Sequence, residues 1–159
     1  MEIADLLAPD AVNPALKAAG KKQLLQELAH HAARLTQIPE RRIFETLVER
    51  ERLGSTGMGQ GVAIPHGRLS GLGRIVGVFA RLETPVAYEA VDDQPVDLVF
   101  LLLAPETAGA DHLKALARVS RLLRNQPTCE KLRAATRAEV LYALLTEPTN
   151  GGAASSQAA

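Results

Sequence analysis

The chain is poor in the residues on which nucleic-acid-binding and extracellular proteins rely. Its 159 residues include no tryptophan, three phenylalanines and two tyrosines, too few for the stacking platforms of base-binding proteins. The 18 Lys and Arg residues balance 18 Asp and Glu residues, so no basic excess is available for a phosphodiester backbone. Cys129 is the single cysteine and can form neither an internal disulfide nor a paired-cysteine zinc site. We therefore expect no nucleic-acid partner, no metal and no oxidising compartment.

Long apolar runs are also missing. The most apolar run covers residues 98–104, between Asp97 and Pro105, whereas a membrane-spanning helix needs about 20 apolar residues. The first residues, Met-Glu-Ile-Ala-Asp, have neither the basic start nor the apolar stretch of a signal peptide. These absences predict a cytoplasmic protein with no membrane insertion.

Apolar residues recur at helical spacing along much of the chain. Asp111 is placed to cap the third helix, whose buried stripe is expected to begin at Leu113. Thr136 with Glu139 matches a capping box at the start of the last helix. We predict helices over residues 22–35, 39–53 and 112–124, and a last helix that ends at residue 145.

Two segments have the composition of strands. Residues 75–82 are rich in β-branched and aromatic side chains, and residues 96–104 form a nearly continuous apolar run. Such a run is typical of a central strand that is covered on both faces. The glycine-rich residues 54–61 are expected to form a shaped loop rather than a regular element. Together these patterns predict a single α/β domain in which helices cover a sheet.

Three side chains are candidates for chemistry. His66 lies between a proline and a glycine and has the only kind of ring that titrates near neutral pH, although a lone loop histidine can equally be structural. His112 opens a helix, whose N-terminus attracts anions, or it is a first-turn residue without a partner. Arg50 carries a permanent charge suited to phosphate oxygens, or it belongs to an exposed ion-pair cluster with Glu51 and Arg52.

The glycine-rich stretch supplies further candidates for contact with phosphate: Ser55, Thr56, Gly57 and Gly59. The two hydroxyls could donate to an anion or could cap the backbone locally. Successive N–H groups of the glycines could form an anion-binding nest. Because the stretch matches neither the dinucleotide-binding nor the P-loop signature, no nucleotide cofactor is expected.

Residues 50–68 form one continuous motif, Arg-Glu-Arg-Leu-Gly-Ser-Thr-Gly-Met-Gly-Gln-Gly-Val-Ala-Ile-Pro-His-Gly-Arg. The motif resembles the IIA components of the bacterial phosphoenolpyruvate-dependent phosphotransferase system (PTS), of the fructose/mannitol type. Within that type it is most like the nitrogen-regulatory branch. Residues 97–105 and the Asp-His-Leu at residues 111–113 support the resemblance. It covers residues 1–146 as a type 2 IIA domain, and the small, polar residues 147–159 are expected to be a disordered tail.

The resemblance implies roles for the candidates. His66 falls on the family's phosphorylated histidine, Arg50 on its phosphate-neighbouring arginine and His112 on its second active-site histidine. It implies a mixed β-sheet flanked by helices, phosphorylation at Nε2, and neither cofactor nor metal. The phosphoryl donor would be a small histidine phosphocarrier, HPr or its nitrogen-related counterpart NPr, charged by enzyme I from phosphoenolpyruvate. The resemblance leaves the regulated partners unknown.

Two phosphotransferase functions therefore compete. One is a phosphocarrier that signals its phosphorylation state to protein partners; the other is a free-standing sugar-specific IIA component that passes its phosphoryl group to a IIB domain. The absence of an attached IIB or IIC segment favours the regulator. A binding module without chemistry is a third reading, and the intact candidate site argues against it.

The phosphoryl donor would need an apolar surface on which to dock. The candidates for this surface, unless they belong to the core, are Met58, Val62 and Leu69.

Overall fold

A computed structural model describes residues 1–148. Within these residues, six strands form one sheet: β1 (Val12–Leu16), β2 (Gly57–Gly59), β3 (Val62–Ala63), β4 (His66–Leu69), β5 (Val76–Val86) and β6 (Val96–Pro105). The sheet order is β1-β5-β6-β3-β2, and β4 also pairs with β6. β1 on β5, and β3 and β4 on β6, are parallel pairs, whereas β5–β6 and β2–β3 are antiparallel. The predicted mixed sheet is confirmed.

Five α-helices accompany the sheet in the described chain: α1 (Lys21–Thr36), α2 (Glu40–Arg52), α3 (Ala110–Arg124), α4 (Gln126–Ala134) and α5 (Ala138–Leu145). α1 packs on α2 and β5, α2 on β4, α3 on β6, and α5 on β1. Between residues 1 and 148, no helix is both long and apolar enough to cross a membrane. Of the predicted tail, residues 149–159 lie outside the described residues.

β6 is the centre of the core. Every side chain from Leu98 to Ala104 is fully buried. Because successive residues of a strand point to opposite faces, this pattern means that both faces of β6 are covered. The prediction of a central strand over residues 96–104 is therefore confirmed, and β6 extends it by one residue.

The glycine-rich stretch is more regular than predicted. β2 lies within it and pairs with β3 through a turn at Gln60 and Gly61, both of which have positive φ. A Cβ on Gly57 would lie 2.7 Å from the Cβ of Ala90, so only glycine permits this approach. The expectation of a loop was wrong for residues 57–59, which form β2 by pairing with β3 and pack against Ala90.

The structure also corrects the predicted starts of two helices. α3 begins at Ala110 after Gly109, and Asp111 lies inside the helix rather than at its cap. α5 begins at Ala138, and its Glu139 accepts from Arg137 Nε at 2.6 Å instead of closing a capping box with Thr136.

One buried position and two elements also differ from the prediction. Leu113, expected in the buried stripe of α3, is 66% exposed. β1 and α4 were not predicted, because β1 contains a proline and α4 follows α3 after one residue.

Candidate functional site

Three elements bring the candidate residues together. His66 is the first residue of β4 and is in register with Leu102 in β6. Arg50 lies in the last turn of α2, which packs on β4. His112 lies in the first turn of α3, which packs on β6. Residues distant in the sequence therefore meet where β4 begins, as the resemblance implies.

The hydrogen bonds of His66 define its tautomer. Its Nδ1 lies 2.9 Å from the carbonyl oxygen of Ile64 and donates to it. Arg50 Nε donates to His66 Nε2 at 3.2 Å. Because a guanidinium has donors only, Nε2 must carry the lone pair. The acceptor that fixes the ring is a main-chain carbonyl, which spacing in the sequence could not have identified.

The electrostatic surroundings of His66 favour its neutral form. Burial lowers the pKa of the imidazole below the ordinary value of 6.5, against the opposing effect of the hydrogen bond to Ile64. The positive charge of Arg50 lowers the pKa further. The ring therefore presents an uncharged nucleophilic nitrogen at neutral pH.

His112 has the opposite arrangement. The residue is 5% exposed, and its Nδ1 accepts a hydrogen bond from Arg68 Nε at 3.2 Å. The N–H of the neutral ring therefore lies on Nε2, which is buried and finds no hydrogen-bond partner within the described residues. Burial lowers the pKa of this imidazole, and nearby His66 and Arg68 lower it further. The two rings lie edge to face, with centroids 5.7 Å apart.

Arg68 is a site residue that sequence reasoning missed. It lies two residues after His66, and alternate residues of a strand share a face. This signal was present, but residues 66–69 were not recognised as a strand. Together Arg50 and Arg68 place two positive charges beside two neutral imidazoles, which suits a doubly charged phosphoryl group.

Glu51 turns away from Arg50. Its carboxylate pairs with Lys21 at 3.0 Å and accepts from the Thr56 N–H at 3.0 Å and from the Tyr88 hydroxyl at 3.2 Å. Burial, aided by the Glu51 charge, raises the pKa of that hydroxyl. The alternative of an exposed ion-pair cluster requires Arg50 to pair with Glu51, and the structure does not show that pair. Arg50 instead donates to the Gly54 carbonyl at 2.8 Å as well as to His66.

The hydroxyls of the glycine-rich stretch are engaged within the protein. Ser55 Oγ donates to the Tyr88 carbonyl at 3.2 Å and accepts from the Gly57 N–H at 3.0 Å. The Thr56 hydroxyl donates to Glu51. These bonds fit the local-capping alternative, and they hold the stretch in place. Ser55, Thr56 and Gly57 line a groove beside His66.

Gly59 lies further along β2, where a Cβ would approach Asp92 at 3.2 Å. Contact of Ser55, Thr56, Gly57 and Gly59 with phosphate stays a prediction.

Apolar side chains lie on two sides of the histidine and form an apolar rim of Leu53, Met58 and Val91. Leu53, 84% exposed, and Val91, 78% exposed, each line a depression that contains His66. Met58 is half-buried and lines the same groove as Val91. Val62 and Leu69, the other two docking candidates, are buried in the core, so their core alternative is correct. The sequence missed Leu53 and Val91 because exposure of an apolar residue depends on the fold.

Residues 5–147 match the family described as phosphoenolpyruvate-dependent sugar phosphotransferase system, EIIA 2, and the chain belongs to this family. It is 60% identical over 93% of its length to a nitrogen regulatory protein of Bradyrhizobium diazoefficiens, of which it covers 97%. It is 34% identical over 80% of its length to a PTS fructose-specific EIIA component of Haloferax volcanii, of which it covers 82%. The resemblance to nitrogen-regulatory IIA proteins is confirmed.

Solved structures agree with this family. The nitrogen regulatory protein IIA-Ntr of Neisseria meningitidis superposes with a TM-score of 0.86 at 38% identity, covering 91% of this chain and 99% of that one. IIA mannitol of Escherichia coli has a TM-score of 0.73 at 19% identity, covering 87% and 97%. The second likeness supports the fold alone. The predicted fructose/mannitol-type IIA fold is confirmed.

Proposed function

We propose that this chain accepts a phosphoryl group on Nε2 of His66 from a small histidine phosphocarrier of the HPr or NPr kind. The observation that carries the proposal is the pair of hydrogen bonds on the ring. Nδ1–H is held by the Ile64 carbonyl, while the lone pair of Nε2 faces Arg50. This is the protonation state that a nucleophilic imidazole requires.

The transfer breaks one bond and forms one. The Nε2 lone pair attacks the phosphorus of the donor's phosphohistidine, and the donor's N–P bond breaks with its electron pair returning to the donor nitrogen. His66 keeps its proton on Nδ1. Phosphoryl transfer depends mainly on positioning and on stabilising the charge of the transferred oxygens.

The neighbours of His66 supply that stabilisation. When the N–P bond forms, Nε2 no longer accepts from Arg50, so the Nε–H of Arg50 becomes available to a phosphoryl oxygen. The bond from Arg50 to the Gly54 carbonyl keeps the guanidinium beside the ring. His112 Nε2–H, buried without a partner in the described chain, is a second donor for the same group. No step requires a cofactor.

We further propose that the phosphoryl group is a signal for protein partners in the cytoplasm. Support comes from the 60% identity to a nitrogen regulatory protein, against 34% to a fructose-specific component. Adding about two negative charges beside the apolar rim changes what that surface can bind. Transfer to a sugar-specific IIB domain is the alternative function.

The proposal is tested by phosphorylation from phosphoenolpyruvate through enzyme I and either HPr or NPr. We expect acid-labile labelling of the wild-type chain and none of His66→Ala. His31→Ala is the matched control, because His31 bonds to the Asp10 carbonyl on another part of the molecule, and it should label normally. Labelling of His66→Ala, or of neither chain, would refute the proposal. Onward transfer to fructose or mannitol IIB domains would instead support the sugar-specific function.

A further inference from the structure

We propose that Arg68 is a positioning residue that fixes the tautomer of His112, so that His112 offers an N–H, and not a lone pair, to the phosphoryl group on His66. The proposal rests on the function proposed above. It concerns a residue two positions after the nucleophile whose contact with His112 joins β4 to α3.

The direction of one hydrogen bond determines the tautomer of His112. Arg68 Nε lies 3.2 Å from His112 Nδ1. Arginine remains protonated in proteins and has no acceptor. His112 Nδ1 must therefore be the acceptor, and a neutral ring then has its only N–H on Nε2. In the other tautomer, two N–H groups would face each other.

His112 Nε2 is a donor that lacks an acceptor in the described chain. It is buried, and no hydrogen-bond partner lies within the described residues. A buried donor without a partner costs stability, because it has lost its hydrogen bonds to water and gained none in the protein. Such a group is expected where a ligand supplies the missing acceptor. The ring stands edge to face with His66 at 5.7 Å, so a phosphoryl oxygen on His66 is the acceptor we assign.

The two histidines have opposite tautomers. Each accepts from the Nε of one arginine, but through different ring nitrogens. Arg50 faces Nε2 of His66, which leaves a lone pair at the site of attack. Arg68 faces Nδ1 of His112, which leaves a proton at Nε2. One ring is thus prepared as nucleophile and the other as donor.

The tautomer can be read without any phosphoryl donor, from ¹⁵N–¹H correlations of the histidine rings. Wild type should show His112 as the Nε2–H tautomer, and Arg68→Met should show a mixture of both tautomers. Methionine keeps the unbranched apolar stem and removes the donor. Arg74→Met, an exposed arginine nearby in the sequence, is the control and should leave His112 unchanged. A wild-type His112 with its proton on Nδ1, or unchanged in Arg68→Met, overturns the proposal.

A double-mutant cycle then tests whether Arg68 acts through His112. We expect Arg68→Met to slow phosphoryl acceptance by about fivefold to tenfold, as for loss of one hydrogen bond. In a His112→Ala background the same substitution should have no further effect. Equal slowing in both backgrounds would show that Arg68 contacts the phosphoryl group or the donor directly and would overturn the proposal. If His66 is never labelled but the tautomer result holds, the proposed function fails while Arg68 still fixes His112.

Discussion

At the scale of single residues, the site is defined by where two protons lie. Both imidazoles are kept neutral by burial and by an adjacent arginine, as the lowered pKa values of His66 and His112 show. Each arginine also determines which ring nitrogen is protonated. The two arginines therefore supply positive charge for a phosphoryl group and also determine the tautomers of the two histidines.

Removing Arg50 should change both titration and rate. Because the Arg50 charge lowers the pKa of His66, Arg50→Met should raise the midpoint of the His66 titration, measured by NMR of its ring. Phosphoryl acceptance should slow by about tenfold or more, since a hydrogen bond to a charged group is lost. Arg52→Met, an exposed neighbour on the same helix, should do neither.

The pH dependence of phosphoryl acceptance follows from the direction in which the pKa of His66 is shifted. Because the pKa of His66 is lowered from its ordinary value of 6.5, the midpoint of the fall in acceptance rate with decreasing pH should lie below 6.5 in wild type. In Arg50→Met the fall should begin at higher pH than in wild type. An Arg50→Met midpoint equal to or below that of wild type would contradict this account of the site.

At the scale of elements, the contact between α2 and β4 determines the distance from Arg50 to His66. A Cβ on Gly67 would lie 2.5 Å from Cγ2 of Thr46, which precedes Arg50 by one turn of α2. Gly67 therefore permits the helix to approach the strand. The nucleophile and its arginine are brought into hydrogen-bond distance by a glycine that takes no part in the chemistry.

Gly67→Ala should accordingly push α2 away from β4. Overpacking of this kind costs about 1–3 kcal/mol of unfolding free energy, measured by urea denaturation, and should slow phosphoryl acceptance as Arg50 leaves His66. Thr46→Ser removes the obstructing methyl and keeps the hydroxyl that donates to the Arg42 carbonyl. The double variant should therefore recover most of both losses.

Gly73→Ala is the control, because a Cβ there meets nothing within 4 Å and should leave both measurements unchanged. If Thr46→Ser gave no recovery, the contact between the helix and the strand would not be what Gly67 permits.

At the scale of the whole molecule, the sequence predicts those features that depend on a short segment of the chain. The motif of residues 50–68 contains both His66 and Arg50, and the apolar run of residues 96–104 contains the central strand. The order of the strands, the strand within the glycine-rich stretch and the burial of individual residues depend on distant parts of the chain. Leu113 illustrates this, since helical spacing predicts burial and the fold leaves it exposed.

The contacts that prepare the site were beyond prediction for the same reason. Arg68 reaches His112 across two elements, and Glu51 reaches Lys21 from one helix to another. Neither contact has a signature in spacing, because each needs the sheet and helices to be in place first. The identities of the reacting residues are local information, whereas their protonation states are a property of the folded chain.

The proposed function requires that Nε2 of His66 is the nucleophile. The most direct test is to phosphorylate ¹⁵N-labelled protein through enzyme I and the HPr or NPr carrier, and to locate the phosphoryl group by ¹⁵N–³¹P coupling. We expect one phosphoryl group per chain, on Nε2 of His66, with the proton retained on Nδ1 against the Ile64 carbonyl. A phosphoryl group on Nδ1, or on any residue other than His66, would contradict it.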